Sequence, residues 1–298
     1  MKTYLECIPC FFRQALEATR MAGASEKVQE KVLIELSKAL PKFCLKSSPP
    51  EMARILNILI RKITKIKDVY EPIKRKSNKM ALKAYPRLKR KVAHSHDQLL
   101  MAVELAIAGN IIDYGAKNSL NVDEELKRIL SEEARAIKKE NKKFFDYAKF
   151  KGALKRAKTI LYLADNAGET VFDRVLIEEI RKLDNSKEII YAVKGKPAIN
   201  DALIKDALDC GLDRVARVVS SGSDAPGTVL SLCSNKFLAL YRKADMIISK
   251  GQGNFEALSR SKQPVFFLFM AKCPVIARAV GCKVGDVILR YYPGKVRK

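Results

Sequence analysis

At about Lys155 the hydrophobic period of this 298-residue chain changes, and few folds accommodate both halves. From Thr3 to about Tyr147 apolar residues recur at helical spacing, as at Phe12, Ala15 and Leu16, then through Val28 to Leu40 and Glu51 to Ile66. Beyond it, strand-length apolar runs alternate with helix-length stretches: Thr159 to Ala164, Ile189 to Val193, Val215 to Val219, Met246 to Ile248, Val265 to Met270 and Val287 to Tyr291. Most of these runs are apolar on both faces, which predicts a mostly parallel sheet covered by helices. The expected fold is α/β, a three-layer α/β/α Rossmann-like arrangement, with a helical N-terminal region over 1–155 and an α/β domain over 156–298. Local punctuation agrees. Gly23 stands where a left-handed cap belongs, Ser47 to Pro50 break the pattern, Pro9 suits a first helical position, and Ser95 with Gln98 reads as a capping box.

An apolar content of 48% supports a sizeable core, while 57 Lys plus Arg against 33 Asp plus Glu give a formal charge of +24. Such an excess points to an anionic partner: nucleic acid, a membrane surface or a phosphorylated small molecule. It is unevenly spread. Residues 61–91 carry 13 basic and 2 acidic residues, whereas residues 159–290 carry 19 and 15. Seven cysteines, scattered except for Cys7 and Cys10, do not make a disulfide scaffold. Glu6, Arg13 and Glu17 interrupt any signal-peptide core, and no run approaches the roughly 20 apolar residues of a membrane span. A soluble, cytoplasmic protein with no membrane partner is expected; the sequence gives no oligomeric state.

Ligands of open parallel sheets bind beyond the carboxyl ends of the strands, where loops and helix N-termini converge. Here those ends read Asp165-Asn166-Ala167-Gly168-Glu169, then Lys194 to Asp201, Ser220 to Thr228, Ser249 to Glu256 and Ala271 to Pro274. Hard oxygen donors (Asp165, Asn166, Asp201) with no His or Cys beside them select Mg²⁺- or Mn²⁺-type ions, and Gly-rich turns before helices make anion nests. A metal site beside an anion site suggests phosphate chemistry. Duller roles compete: Asp165 as a cap of the following helix, Asp201 as a first-turn carboxylate, Lys250 as a solvated residue, Asn254 as another cap. Gly251-x-Gly253-x-x-Glu256 only half matches a dinucleotide fingerprint, and neither a Walker loop nor a G-x-S-x-G elbow occurs. The two histidines, His94 and His96, lie in the helical half and read as surface or cap residues.

Five ordered motifs together resemble the damage-control phosphatase family, formerly domain of unknown function 89, and in particular its first, archaeal and bacterial subfamily. They are Cys7-Ile8-Pro9-Cys10, Ala108 to Gly115, Asp165 to Glu169, Asn200-Asp201 and Ser249 to Glu256. The resemblance implies a metal-dependent phosphatase acting on small, damaged phosphometabolites such as sugar phosphates or nucleotides, supported by Mn²⁺, Ni²⁺, Co²⁺ or Mg²⁺. It implies Asp165, Asn166 and Asp201 as metal ligands, with the Lys250-Gly251 loop on the substrate phosphate. Asn110 and Asp113 would reach in from the helical region. Asp165 and Lys250 are then the expected catalytic residues: metal held by the three oxygen ligands would orient or activate a water while Lys250 and loop N–H groups stabilise equatorial oxygens. An aspartate nucleophile is the alternative. Cys7 and Cys10 are either a thiol pair whose Cys10 is acidified by the helix dipole or small apolar residues packing a helix start. Two alternatives come from other classes: a nucleic-acid-binding protein using residues 61–91, with Tyr70 and Tyr85 interleaved, and a non-catalytic nucleotide-binding module.

Overall fold

The structure is a computed structural model that describes residues 1–109 and 143–294. Asn110 and Asp113 lie outside the described residues.

Helices α1 (Cys7–Met21), α2 (Glu26–Ala39) and α3 (Pro49–Thr64) close on a core of their own, in which Phe11, Ala15, Val32, Leu36, Leu56 and Ile60 are buried. Helix α3 starts on a Ser48–Glu51 pair, the Ser48 N–H donating to Glu51 Oε2 at 2.7 Å. Gly23, at φ +65°, is in the left-handed region expected of it. Helix α1 begins two residues before Pro9, at Cys7.

Helices α4 (Glu71–Ala93), α5 (Gln98–Ala108) and α6 (Tyr147–Arg156) share their core with one face of the sheet. The change of period at residue 155 and the division of cores, near residue 70, therefore fall at different places. Helix α4 runs through Pro86, which has no N–H to give; the buried stripe Ala81, Ala84, Leu88 and Val92 holds that turn helical. Ser95 does not cap α5. Asp97 does, accepting the Leu100 N–H at 3.0 Å, because Ser95 Oγ turns back to the Lys91 carbonyl at 2.7 Å.

Each of the six apolar runs is a strand: β1 (Thr159–Leu163), β2 (Glu188–Val193), β3 (Arg217–Ser220), β4 (Met246–Lys250), β5 (Val265–Met270) and β6 (Val287–Tyr292). Val215 falls outside β3, just past the 3₁₀ turn Leu212–Arg214 that precedes it. The sheet order is β3-β2-β1-β4-β5-β6, parallel except for β6, as in a doubly wound fold. Alternation sorts the side chains of β1: Ile160 and Tyr162 enter the core under α4, α5 and α7 (Glu169–Leu183). Leu161 and Leu163 enter the opposite core, beneath α9 (Asn235–Lys243), α10 (Gln252–Leu258) and α11 (Pro274–Val280). A six-residue helix, α8 (Ile204–Asp209), flanks β3. Chain order reverses between β1 and β4, so the crevice that such sheets use for ligands opens beyond Leu163 and Lys250. Among the described residues no helix is long and apolar enough to cross a membrane.

Candidate active site

Strand register decides who meets at that crevice. Leu163 pairs with Ala192 of β2 and with Ser249 of β4, so two residues on, Asp165 lies between Lys194 and Gly251. The chain after β2 then turns back. Asp201 bridges Asn166 in antiparallel fashion, the Ala202 N–H donates to the Asp165 carbonyl at 2.8 Å and the Ala167 N–H to that of Asn200 at 2.9 Å. Residues 200–203 thus extend the sheet as a short ribbon between the ends of β1 and β2. Ile199, which leads into the ribbon, has φ +49°, strained for a β-branched residue; its side chain packs on the core of α1 to α3, which holds the turn in place. Helix α3 braces the same edge. Its Arg54 pairs with Asp224 of the loop after β3, and Arg61 donates to the Pro197 carbonyl at 3.1 Å.

The carboxylates at this edge are buried: Asp165 is 7% exposed, Asp201 3%, Glu169 1% and Asp173 0%. Asn166 Nδ2 donates to Asp165 Oδ2 at 3.2 Å and to Glu169 Oε1 at 2.9 Å, leaving its Oδ1 as an acceptor. Asp201 Oδ2 accepts the Gly227 N–H and lies beside Lys194 Nζ, each at 3.3 Å. Burial, then the nearby Glu169 and Asp201 charges, hold the Asp165 carboxyl well above the usual carboxylate range. Burial raises Asp201 too, opposed by Lys194.

Lys250 is paired with two acids. Its ammonium donates to Asp173 Oδ1 at 2.7 Å and to Glu169 Oε2 at 3.0 Å. Asp173 in turn accepts the Tyr162 and Tyr191 hydroxyls, both at 2.7 Å. Burial alone would acidify Lys250, but the Asp173 and Glu169 charges outweigh it and keep the ammonium protonated. After it, Gly251 at φ +81°, ψ +158° occupies a region open essentially to glycine, and a Cβ there would overlap the Asp165 carboxylate. Asn254 ties the crevice together. Its Nδ2 donates to the carbonyls of Ala164 at 3.0 Å and Lys250 at 2.7 Å, and its Oδ1 accepts Thr228 Oγ1 at 2.8 Å.

These contacts remove the duller roles. Helix α7 is capped by Gly168, whose N–H donates to Asn78 Oδ1 of α4 at 2.7 Å, and not by Asp165. Asp206, not Asp201, is the first-turn carboxylate of α8, accepting the Leu203 N–H at 2.9 Å. Lys250 is buried, not solvated. Among the described residues no three His, Cys, Asp or Glu side chains form a ready metal cluster. The oxygen set Asp165, Asn166 and Asp201 contains only two residues of those types. Its chemistry nonetheless fits a hard divalent ion: Asp165 is a buried carboxyl beside like charges, whose ionised form a cation would favour, and the missing Gly251 side chain leaves it room.

Residues 3–288 match the damage-control phosphatase ARMT1-like domain. The chain belongs to the damage-control phosphatase family. A damage-control phosphatase of Pyrococcus horikoshii is 35% identical over 291 residues, 97% of each chain. One of Archaeoglobus fulgidus is 33% identical over 249 residues, covering 82% of this chain and 84% of its own. The crystal structure of a DUF89 family protein from Pyrococcus horikoshii superimposes with a TM-score of 0.86 at 34% identity, covering 97% of this chain and 99% of its own. The family, the α/β fold and the phosphatase class expected from the sequence are those of these relatives.

Four members of this edge escaped the sequence reading in the roles they hold: Lys194 beside Asp201, Asp173 and Glu169 under Lys250, and Asn78 at the start of α7. Glu169 stood in a motif, one residue past the helix cap. Asp173 is four residues on, one helical turn, and that spacing was the available signal. Lys194 stood first after the run Ile189 to Val193, the same strand-end place that singles out Asp165, but nothing local marks Asn78. The Cys7 thiol is half-buried and burial pushes it up, the direction opposite to activation; Cys10 is exposed.

Proposed function

We propose that this protein hydrolyses phosphate monoesters of small phosphorylated metabolites in a divalent-metal-dependent reaction, with Asp165, Asn166 and Asp201 holding the ion. The observation that carries this reading is the charge of the crevice. Four buried carboxylates, Asp165, Glu169, Asp173 and Asp201, face two buried ammonium groups, Lys194 and Lys250. Fully ionised, those six groups fall two positive charges short of neutrality, the deficit one divalent cation makes good. Like charges so placed are costly in a low-dielectric site unless a counter-ion occupies it.

When bound, such an ion supplies Lewis acidity to a phosphoryl oxygen and to water. This chain's residues do the rest. Asn166 Nδ2 pins the Asp165 and Glu169 carboxylates in one orientation. Lys250 and Asp173, anchored by two tyrosines, fix Glu169 from below. Gly251 keeps the approach to Asp165 clear, and the loops after β3 and β4, tied through Thr228 and Asn254, present backbone to the crevice. Because a phosphate dianion repels nucleophiles, positioning and neutralisation of this kind are what the protein can contribute most.

The deciding experiment is release of inorganic phosphate from an aryl phosphate by metal-stripped protein, with Mn²⁺, Ni²⁺, Co²⁺ and Mg²⁺ each added back. Hydrolysis is expected only with added ion. Binding of nucleotide without turnover would favour a non-catalytic module instead.

A further inference from the structure

Two lysines are buried at the crevice, and they are not equivalent. Lys250 gives two of its three N–H donors to Asp173 and Glu169 at 2.7 and 3.0 Å, the lengths of strong charge-assisted bonds. Lys194, 3% exposed, has one ion pair among the described residues, to Asp201 Oδ2 at a loose 3.3 Å. Its backbone, by contrast, is clamped. The Lys194 N–H donates to the Ala202 carbonyl at 3.0 Å, and the Gly195 N–H to that of Ser223 at 2.8 Å. A buried ammonium with a single long contact is expensive to keep, and an apolar side chain of that length would fill the space without the desolvation cost.

We propose that Lys194 is the side-chain cation that contacts the substrate's phosphoryl oxygens, while Lys250 acts as a positioning residue through Glu169. The proposal rests on the phosphatase reading and assigns the phosphate contact within it. Register places Lys194 directly beside Asp165, on the side opposite Gly251. Its acidic partner among the described residues, Asp201, is one of the residues that would hold the ion; once Asp201 ligates, the ammonium keeps at least two free donors beside the place where the phosphoryl group must sit. The other basic groups nearby are committed or distant: Arg54 and Arg61 pair with Asp224, and Lys272 is exposed and acts on Asp165 only through its field.

The test is Lys194→Met, read in three ways. Calorimetric binding of inorganic phosphate at saturating Mn²⁺ should weaken at least tenfold. The kcat/KM for an aryl phosphate should fall about a hundredfold, and the Mn²⁺ dissociation constant should stay equal or tighten, since Asp201 loses a competitor. A residue that merely props up Asp201 would instead weaken Mn²⁺ and leave phosphate affinity alone. Phosphate affinity within twofold of wild type overturns the proposal. Lys194→Gln, which keeps a donor for Asp201 but no charge, carries the same comparison if the methionine variant does not fold. Should wild-type protein bind Mn²⁺ and phosphate yet hydrolyse nothing, the phosphatase reading fails while the phosphate measurement still decides the role of Lys194.

Discussion

Gly251 and Gly253 are two residues apart and should respond oppositely to alanine. At Gly251 the backbone sits at φ +81°, ψ +158°. Holding a residue with a Cβ there costs about 1–3 kcal/mol. The new methyl group also overlaps the Asp165 carboxylate. That carboxylate is buried and tied to Asn166, so making room means shifting β1 or β4, another ~1–3 kcal/mol by analogy with overpacked cores. Gly251→Ala should therefore lose about 2–6 kcal/mol, leaving a folded protein if total stability lies above the lower end of the usual range of about 5–15 kcal/mol. Gly253 lies inside α10, and a Cβ there meets nothing nearer than Gly227 N at 3.6 Å. Gly253→Ala should be neutral or gain up to about 1 kcal/mol from the lower entropy of the unfolded chain. Urea denaturation of the metal-free proteins measures both, and an Mn²⁺ titration of aryl phosphate hydrolysis reads the functional side. Gly251→Ala should need far more Mn²⁺, or fail to turn over at any concentration. Stability within about 0.5 kcal/mol of wild type together with an unchanged Mn²⁺ requirement would refute the packing of Gly251 against Asp165.

Other substitutions test the same edge. Asp165→Asn should abolish hydrolysis yet stabilise metal-free protein by about 0.5–2 kcal/mol at pH 8. The raised Asp165 pKa means folding loses stability as pH climbs through the carboxylate range, so thermal melts in chelator should show a smaller gain at pH 5. Lys250→Met strands Glu169 and Asp173 without a cation, a loss of about 3–5 kcal/mol in chemical denaturation. Asn78→Ala removes the acceptor of the Gly168 N–H and the donor to Asp206, about 2–3 kcal/mol by the same method. Burial raises Glu256 to about 7, so the folded state keeps a proton that the unfolded state releases near its ordinary value. Stability should fall by up to about 3 kcal/mol between pH 4.5 and 7, and Glu256→Gln should flatten that slope in pH-dependent melts.

Strands were legible because a buried parallel sheet demands uninterrupted apolar runs, and the runs at Ile189 to Val193 and Val265 to Met270 leave the chain little else to do. Asp165 and Asn166 were legible for the same reason, since polar residues straight after a buried strand need a purpose. Asp201 was harder. Its place beside Asn166 depends on a ribbon of residues 200–203 returning between two strand ends, set by a strained Ile199 and by packing from another layer, none of which has a local sequence signal. Pro86 carries a helix-ending signal that the fold overrides, because tertiary burial of Ala84 and Leu88 holds that turn helical. Asn78 and Lys194 act across about 90 residues and across a strand ladder respectively, distances at which a single sequence carries no pairing information.

The charge of the molecule and the charge of its crevice have opposite signs, and the two need separate explanations. A chain at +24 carries cations on α4 such as Lys79, Lys83 and Arg90 that are exposed and have no ion pair among the described residues. Surface charges of this kind act at a distance, through a potential that falls off within about 8 Å at physiological ionic strength. They can raise the encounter rate of any anion, and so select none. On the proposed function, selection falls to the buried edge, where acids outnumber bases and an anion would be repelled unless a divalent ion and the Lys194 ammonium were both in place. An arrangement that would repel phosphate when empty and hold it when loaded would tie substrate binding to metal binding. Added salt should therefore slow association across all phosphate esters alike while leaving the order of preference among them unchanged, because that order is set where salt does not reach.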